Sequence, residues 1–115
     1  MKQVNFTLKD FDDNAGLYES ERKVKAYQIS HDWYVHRDSV DWWVISHRSG
    51  FALMSGFKLR KHAVAAVKAI LEILDGQTVE ITWANTETWG KLPVMDLPSD
   101  LQGKMHQAAR IHQFK

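Results

Sequence analysis

The sequence of 115 residues contains no cysteine. This absence excludes disulfide bonds, thiol catalysis and thiolate metal sites, and it fits a reducing compartment. No apolar run approaches the roughly 20 residues that a membrane-spanning helix needs. The first residues, Met1-Lys2-Gln3, begin no apolar segment of the kind that signal peptides carry. We therefore expect a cytoplasmic protein with no membrane partner.

Proline and glycine are also scarce, with two and six residues respectively, and we find no repeats, linkers or low-complexity segments. Hydrophobic residues make up 44% of the chain and charged residues 25%, as in ordinary globular proteins. A chain of this length is sufficient for one hydrophobic core. We therefore expect residues 1–115 to form a single domain.

A large net charge is lacking too, since the formal value is +1, but the charge is unevenly distributed. Residues 42–71 contain five Lys and Arg residues and no acidic residue. The segments on either side carry an excess of acids. A nearly neutral protein of this kind can still present a local basic surface to an anionic partner.

Alternation of apolar and polar residues, together with β-branched and aromatic residues, predicts a series of strands. They lie at residues 4–8, 23–30, 33–37, 42–47, 51–54 and 79–83. Ser49-Gly50 predicts a tight hairpin turn between the fourth and fifth strands. The acidic segment 10–16 is interpreted as a loop, and residues 85–98 as a long irregular connection.

Residues 60–74 give the clearest helical pattern, because their apolar residues recur at helical spacing and Asp75-Gly76 follows. The stripe consists of Ala63, Val64, Val67, Ile70, Leu71 and Leu74. A second helix is predicted at about 99–112, capped by Ser99 or Asp100. The expected fold class is α+β: an antiparallel β-meander of five to six strands packed against one main helix (about 60–74), with a short C-terminal helix (about 99–112).

The main helix has an unfavourable first turn. Arg60, Lys61 and His62 lie at the end where the helix dipole is positive, and Lys58 precedes them. Leu59, at the expected capping position, has no side-chain oxygen to accept from the free backbone N–H groups. Cations and an apolar cap are the reverse of the usual helix start.

Two interpretations of this helix start remain open. In the first, a phosphate, a carboxylate or an acidic partner binds the free N–H groups and the cations, with Arg48 of the preceding hairpin joining them. In the second, Ser55 or a looser turn caps the helix, and the cationic side chains extend into water.

Adjacent tryptophans provide a second candidate feature. Trp42 and Trp43 are predicted in one strand, so their side chains point to opposite faces of the sheet. Both are buried only if both faces are covered, for example by the C-terminal segment. If one face is open, an exposed tryptophan there can stack on nucleobases or anchor a protein interface.

Catalytic motifs are weak. Residues 36–38 match the start of the kinase catalytic loop, but the later Asn is missing and the chain is too short. No two of the six histidines have the i, i+4 spacing of a zinc protease. We predict no catalytic residue, no metal ligand and no cofactor. A hydrolase or nuclease site assembled from scattered residues, such as Asp12, Asp13 and His31, stays open as an alternative.

The segment 42–70 resembles a pattern in small accessory proteins of bacteriophages, plasmids and other mobile elements. It reads W-W-V-I-S-H-R-S-G-F-A-L, followed by F-K-L-R-K-H-A at the helix start. Ser46-His47 ends the strand, as in that pattern. Leu59 stands where the pattern has a capping Thr, and His62 stands where it has an acid. The resemblance implies a mobile-element setting, in which some small proteins, anti-CRISPR proteins among them, block host defence nucleases by binding. It covers about 30 of the 115 residues and carries no functional residue over.

Together these features predict a small non-enzymatic binding protein that acts stoichiometrically on a host protein or nucleoprotein machine. Inhibition of a defence nuclease, as by anti-CRISPR proteins, is one form that this function could take. The predicted binding surface comprises Arg48, Lys58, Arg60, Lys61, Trp42 and Trp43. The first alternative is a nucleic-acid-binding module that uses the same residues on phosphates and bases. The second is the small His/Asp-dependent enzyme. Either a monomer or a homodimer is compatible with an exposed strand edge.

Overall fold

A computed structural model describes residues 2–12, 18–38, 41–86 and 90–114. The strands are β1 (Gln3–Asp12), β2 (Tyr18–Gln28), β3 (Trp33–Arg37), β4 (Trp43–His47), β5 (Ala52–Phe57), β6 (Ile81–Thr86) and β7 (Gly90–Met95). The helices are α1 (Arg60–Leu74) and α2 (Ser99–Arg110). The predicted α+β class is confirmed. Within the described ranges, no helix is long and apolar enough to cross a membrane.

Strands β1 to β5 form one antiparallel sheet in sequence order, which is the predicted meander. Strands β6 and β7 form a separate two-stranded sheet. The irregular connection predicted at 85–98 is therefore wrong over β7. Pro93 lies within β7 and pairs with Trp83. A proline is tolerated there because a strand in a two-stranded sheet has one edge free of backbone hydrogen bonds.

The acidic loop predicted at 10–16 is also partly wrong. Strand β1 continues to Asp12, which pairs with Tyr18 at the start of β2. The long hairpin pairing extends the strand through residues whose own propensity is low. Residues 13–17, including Asp13, lie outside the described residues.

One face of the sheet packs against α1, and α2 packs against α1. The alternating positions Trp33, Val35 and Ile45 face α1, together with Phe57 of β5. The buried residues of α1 are Ala63, Val64, Ala66, Val67, Ile70 and Leu74. The predicted stripe is confirmed except that Leu71 is only partly buried. Removing these side chains from water is the main source of stability.

The other face of β3 and β4 is covered by the β1–β2 hairpin, which folds back over it. Phe6 and Leu8 are buried there, and the ring centroids of Phe6 and Tyr34 lie 4.7 Å apart. Sequence reasoning offered the C-terminal segment as a cover for this face, and the hairpin occupies it instead. The far end of β1 reaches the β4–β5 turn, where the Lys9 N–H donates to the carbonyl of Gly50 at 2.9 Å.

Helix α2 begins at Ser99 and ends at Arg110, two residues before the predicted limit. Pro98 occupies the capping position, so neither predicted capping residue holds it. Met105 and Ala109 are buried against the core, as helical spacing predicts.

A substitution of Gly50 tests the contact between β1 and the β4–β5 turn. The φ of Gly50 is +94°, and an added Cβ would lie 3.0 Å from the Thr7 carbonyl oxygen and 3.2 Å from the Lys9 nitrogen. Gly76 is a matched control, because its φ is +82° and a Cβ there meets nothing within 4 Å. We expect Gly76→Ala to cost about 1 kcal/mol in the free energy of unfolding and Gly50→Ala about 2–3 kcal/mol, as measured by urea denaturation. Equal losses would contradict the close approach of β1.

Candidate functional site

The start of α1 has no side-chain cap. Leu59 occupies the capping position in an extended conformation, and no side chain there accepts a hydrogen bond. The first turn contains no acidic residue, and Lys58, Arg60 and Lys61 are exposed. Ser55 does not cap the helix, so that form of the alternative interpretation is wrong. Its backbone carbonyl instead accepts a hydrogen bond from the side chain of Gln113.

Helix α1 begins too late to cover the whole face of the sheet on which it packs. An open pocket of about 550 Å³ lies at the N-terminal end of α1. The pocket is lined by Gln3, Val24, Lys25, Tyr27, Arg37, Trp43 and Arg60. It is formed by strands β1 to β4 and by the first residue of α1. An aromatic and cationic part of the sheet therefore stays open to solvent.

Three planar groups meet in this pocket. The guanidinium carbon of Arg60 lies 4.4 Å from the ring centroid of Tyr27, which is a cation–π contact. The rings of Tyr27 and Trp43 are tilted at 44°, with their centroids 6.1 Å apart. Tyr27 and Trp43 are partly buried against the core, so packing holds their rings in place. The planar groups are thereby oriented before any ligand binds.

The charged groups of the pocket are cations. The Lys25 Nζ donates to the Asn5 side-chain oxygen at 2.6 Å, which leaves its charge unneutralised. Arg37 pairs with Asp41 at 3.0 Å, but both side chains are largely exposed, so the pair contributes little. Among the described residues, no carboxylate lines the pocket. The local potential is therefore positive although the net charge of the chain is +1.

A second groove of about 600 Å³ runs along the outer side of α1. It is lined by Leu59, Arg60, Lys61, Val64, Ala65 and Lys68. Arg60 lines both the groove and the pocket, so the two lie next to each other. We call the combined surface the cationic–aromatic surface and define it by Lys25, Tyr27, Arg37, Trp43, Arg60, Lys61 and Lys68.

The structure brings together only part of the predicted binding surface. Trp43, Arg60 and Lys61 belong to the cationic–aromatic surface, and Lys58 is exposed just before it. Trp42 lies outside both the pocket and the groove, immediately before β4.

Trp42 is partly buried and makes an edge-to-face contact with Phe114, with ring centroids 5.5 Å apart. The C-terminal residues rest there on β5, where the Phe114 N–H donates to the carbonyl of Gly56 at 2.9 Å. Trp42 and Trp43 therefore have different environments, as their adjacent positions predict, and neither is fully buried or fully free.

Arg48 does not join the helix start, contrary to the sequence-based interpretation. It lies in the turn before β5, whereas α1 follows the other end of β5, roughly 20 Å away by strand length. Its Nε donates to Asp32 at 2.8 Å, and its terminal nitrogen donates to Glu80 at 2.6 Å. These hydrogen bonds raise the pKa of Arg48 above its ordinary value. Arg48 is thus a structural cation with two carboxylate partners.

Asp32, Arg48 and Glu80 form a polar clamp with His47 that holds the segment before β6. The second oxygen of Asp32 accepts from the Val79 N–H at 3.3 Å, and the His47 Nε2 donates to the Val79 carbonyl at 2.7 Å. The Ser49 N–H donates to the His47 Nδ1 at 3.1 Å. With one ring nitrogen donating and the other accepting, His47 is neutral.

Of the residues of the enzyme alternative, Asp13 lies outside the described residues. His31 is exposed and lies 4.0 Å from Asp32, whose carboxylate already binds Arg48 and the Val79 N–H. The described residues contain no group of three or more potential metal ligands. A hydrogen-bonded pair, His36 and Ser46, is enclosed in the core at an Nε2–Oγ distance of 2.8 Å. Burial separates this pair from any substrate.

The acidic end of the β1–β2 hairpin lies away from the cationic–aromatic surface. Gln3, at one end of β1, lines the pocket, whereas Asp12 ends the strand nine residues later, roughly 30 Å along the chain. Lys9, near that far end, hydrogen bonds to the β4–β5 turn, which is opposite the start of α1. The backbone of Asp12 therefore lies far from Gln3 and the pocket.

Sequence reasoning missed Lys25, Tyr27 and Arg37. The alternation Lys23-x-Lys25-x-Tyr27 places cations and an aromatic ring on one face of β2, and this signal was available. Its significance depends on where α1 begins over the sheet, which is a tertiary property.

No family model, curated protein or solved structure matches this chain.

The clamp predicts that Arg48 contributes to stability. We expect Arg48→Ala to lower the free energy of unfolding by about 1–2 kcal/mol, because two charge-assisted hydrogen bonds are lost at a partly exposed position. The control Lys61→Ala should change it by less than about 0.5 kcal/mol, because Lys61 is exposed. Urea denaturation of both variants measures this difference. Equal effects would contradict the structural role of Arg48.

Because His47 is buried and titratable, we expect the free energy of unfolding to depend on pH. Burial lowers its pKa from the usual 6.5, although the hydrogen bond to Val79 and the charge of Asp32 act in the opposite direction. The unfolded chain therefore binds the proton more readily. The stability from neutral His47 is present above about pH 6.5 and is lost as the pH falls below that value.

His47→Gln is the matched variant, because glutamine keeps a donor for the Val79 carbonyl and does not titrate in this range. Between pH 7.5 and 5.5, the original protein should lose more stability than the variant, by at most about 1.4 kcal/mol per pH unit. Identical pH profiles in urea denaturation would show that His47 is not the responsible group.

Proposed function

We propose that the protein is a non-enzymatic binding protein that acts stoichiometrically by placing its cationic–aromatic surface on the nucleic acid of a host nucleoprotein complex. One observation carries this proposal. Five cations line the pocket and the neighbouring groove, and no carboxylate is found among the described residues that line them. The cations are Lys25, Arg37, Arg60, Lys61 and Lys68.

A phosphate backbone is the anion that suits this arrangement best. The cations extend from β2 and β3 across the start of α1 and along its outer side, which favours a linear polyanion over a single small anion. Each phosphate that a cation neutralises releases condensed counterions and so favours binding at low salt. The uncapped N–H groups at the start of α1 add to the positive potential along this path.

A mobile-element setting supports the same proposal. Residues 42–70, which resemble accessory proteins of phages and plasmids, include two residues of the pocket, Trp43 of β4 and Arg60 of α1. A small protein that occupies the nucleic-acid path of a host nuclease in the cytoplasm would inhibit that nuclease without catalysis. We therefore include inhibition of a defence nuclease in the proposed function.

Fluorescence anisotropy with labelled single- and double-stranded oligonucleotides tests the proposal. At about 50 mM salt we expect binding, and at about 200 mM salt a strong loss of affinity. The log–log slope should be about −0.7 to −0.9 per phosphate contacted. Arg60→Glu should weaken binding at least tenfold and reduce the slope by about one contact or more, because Arg60 lines both the pocket and the groove.

Lys104→Glu is the matched control, since it makes the same change of charge at an exposed position of α2 outside the pocket and the groove. It should leave the affinity nearly unchanged. No binding to any oligonucleotide at about 50 mM salt would overturn the nucleic-acid target. Equal losses for the two variants would overturn the assignment of the surface.

A further inference from the structure

We propose that the pocket between Tyr27, Trp43 and Arg60 receives one unstacked nucleotide of a single strand. The base would lie against the planar groups, and the adjacent phosphate would bind Lys25 and Arg37. This inference rests on the proposed function and deepens it, because phosphate contacts alone would bind duplexes and single strands alike. The pocket adds a reason to prefer a strand whose bases are free.

The planar side chains of Tyr27, Trp43 and Arg60 are suited to stacking on a base. Aromatic rings and arginine guanidinium groups both stack on nucleobases, without strong preference for one base. Tyr27 and Trp43 are held by the core, and the Arg60 guanidinium lies on the Tyr27 ring. Because these groups are already oriented, little side-chain entropy is lost when a base binds.

Lys25 and Arg37 are placed to bind a phosphate next to the aromatic rings. Lys25 lies two residues before Tyr27 on β2, so both side chains project from the same face of the strand. Arg37 is the direct cross-strand neighbour of Trp43 in the β3–β4 pair. Each aromatic ring therefore has a cation beside it on the same face. A ligand that carries both an aromatic ring and an anionic group matches this arrangement.

The size and remaining polarity of the pocket fit such a ligand. A volume of about 550 Å³ falls within the roughly 300–1,000 Å³ usual for ligand pockets. The Gln3 amide, which lines the pocket beside its strand partner Tyr27, offers a donor and an acceptor to a base edge. Cationic ligands are disfavoured, because three cations line the pocket.

Binding to matched strands with and without bases tests the inference. The probes are a labelled oligothymidylate, an abasic strand of equal length, the duplex form and thymidine monophosphate, all at about 50 mM salt. We expect the oligothymidylate to bind about 5- to 150-fold more tightly than the abasic strand, which is the contribution of one base–aromatic stack. The mononucleotide should bind more weakly than the strand, because it lacks the neighbouring phosphates.

Variants of Tyr27 assign this preference to the pocket. Tyr27→Leu should abolish the preference for bases, and Tyr27→Phe should keep it. Tyr34→Leu is the matched control, since Tyr34 is also partly buried but packs against Phe6 on the other face of the sheet. Circular dichroism and thermal melting establish that each variant is folded.

The outcomes separate this inference from the proposed function. Equal binding of the oligothymidylate and the abasic strand would overturn the base-binding pocket while leaving the nucleic-acid target intact. Mononucleotide binding as tight as that of the strand would overturn the strand as the source of the nucleotide. Failure of every probe to bind would overturn both. A base preference that survives Tyr27→Leu would contradict the assigned location.

Discussion

Large side chains on both faces of β3 and β4 are the constraint on which the rest of the structure depends. Trp33, Val35 and Ile45 project to one side, and Tyr34 and His36 project to the other. A sheet of this kind needs a cover on each face, because leaving either set in water would forfeit much of the hydrophobic stabilisation. Helix α1 covers the first face and the β1–β2 hairpin covers the second. The architecture follows from meeting both requirements with a chain of 115 residues.

The two ends of the covered sheet then differ in character. At the β4–β5 turn, the polar clamp pairs Arg48 with Asp32 and Glu80 and fixes Val79 in place. At the other end, the start of α1 leaves Tyr27 and Trp43 partly exposed beside Lys25, Arg37 and Arg60. Positive charge is used for stability at one end and is available for recognition at the other.

The sequence predicted the periodic parts of the fold well. The limits of β3 and α1 agree with the structure, since each has a pattern that is clear without its neighbours. The cationic first turn of α1 and the inability of Leu59 to cap it were predicted, because both are local properties, whereas capping by Ser55 stayed open until the structure excluded it. Strand β7 was missed, because Pro93 suggests a break and the strand depends on pairing with β6.

The candidate site was predicted less well, because, like β7, it depends on contacts between residues that are distant in the sequence. Arg48 and Arg60 are both cations near one hairpin in the sequence, but the length of β5 separates them. Among the described residues, Arg48 has two carboxylate partners and Arg60 has none. Lys25 and Tyr27 are distant in sequence from Arg60, and strand order brings them beside it. Non-local contacts of this kind have no signature in a single sequence.

Chemical-shift mapping during a titration with single-stranded oligothymidylate tests the central claim most directly, because it locates the bound strand on the uniformly ¹⁵N-labelled protein. We predict shifts of the Trp43 indole N–H and of the backbone amides of Tyr27 and Arg60. The indole signals of Trp33, which is buried, and of Trp83, near the β4–β5 turn, should stay in place. Shifts centred on Trp83 and the clamp, or no shifts at all, would contradict the account.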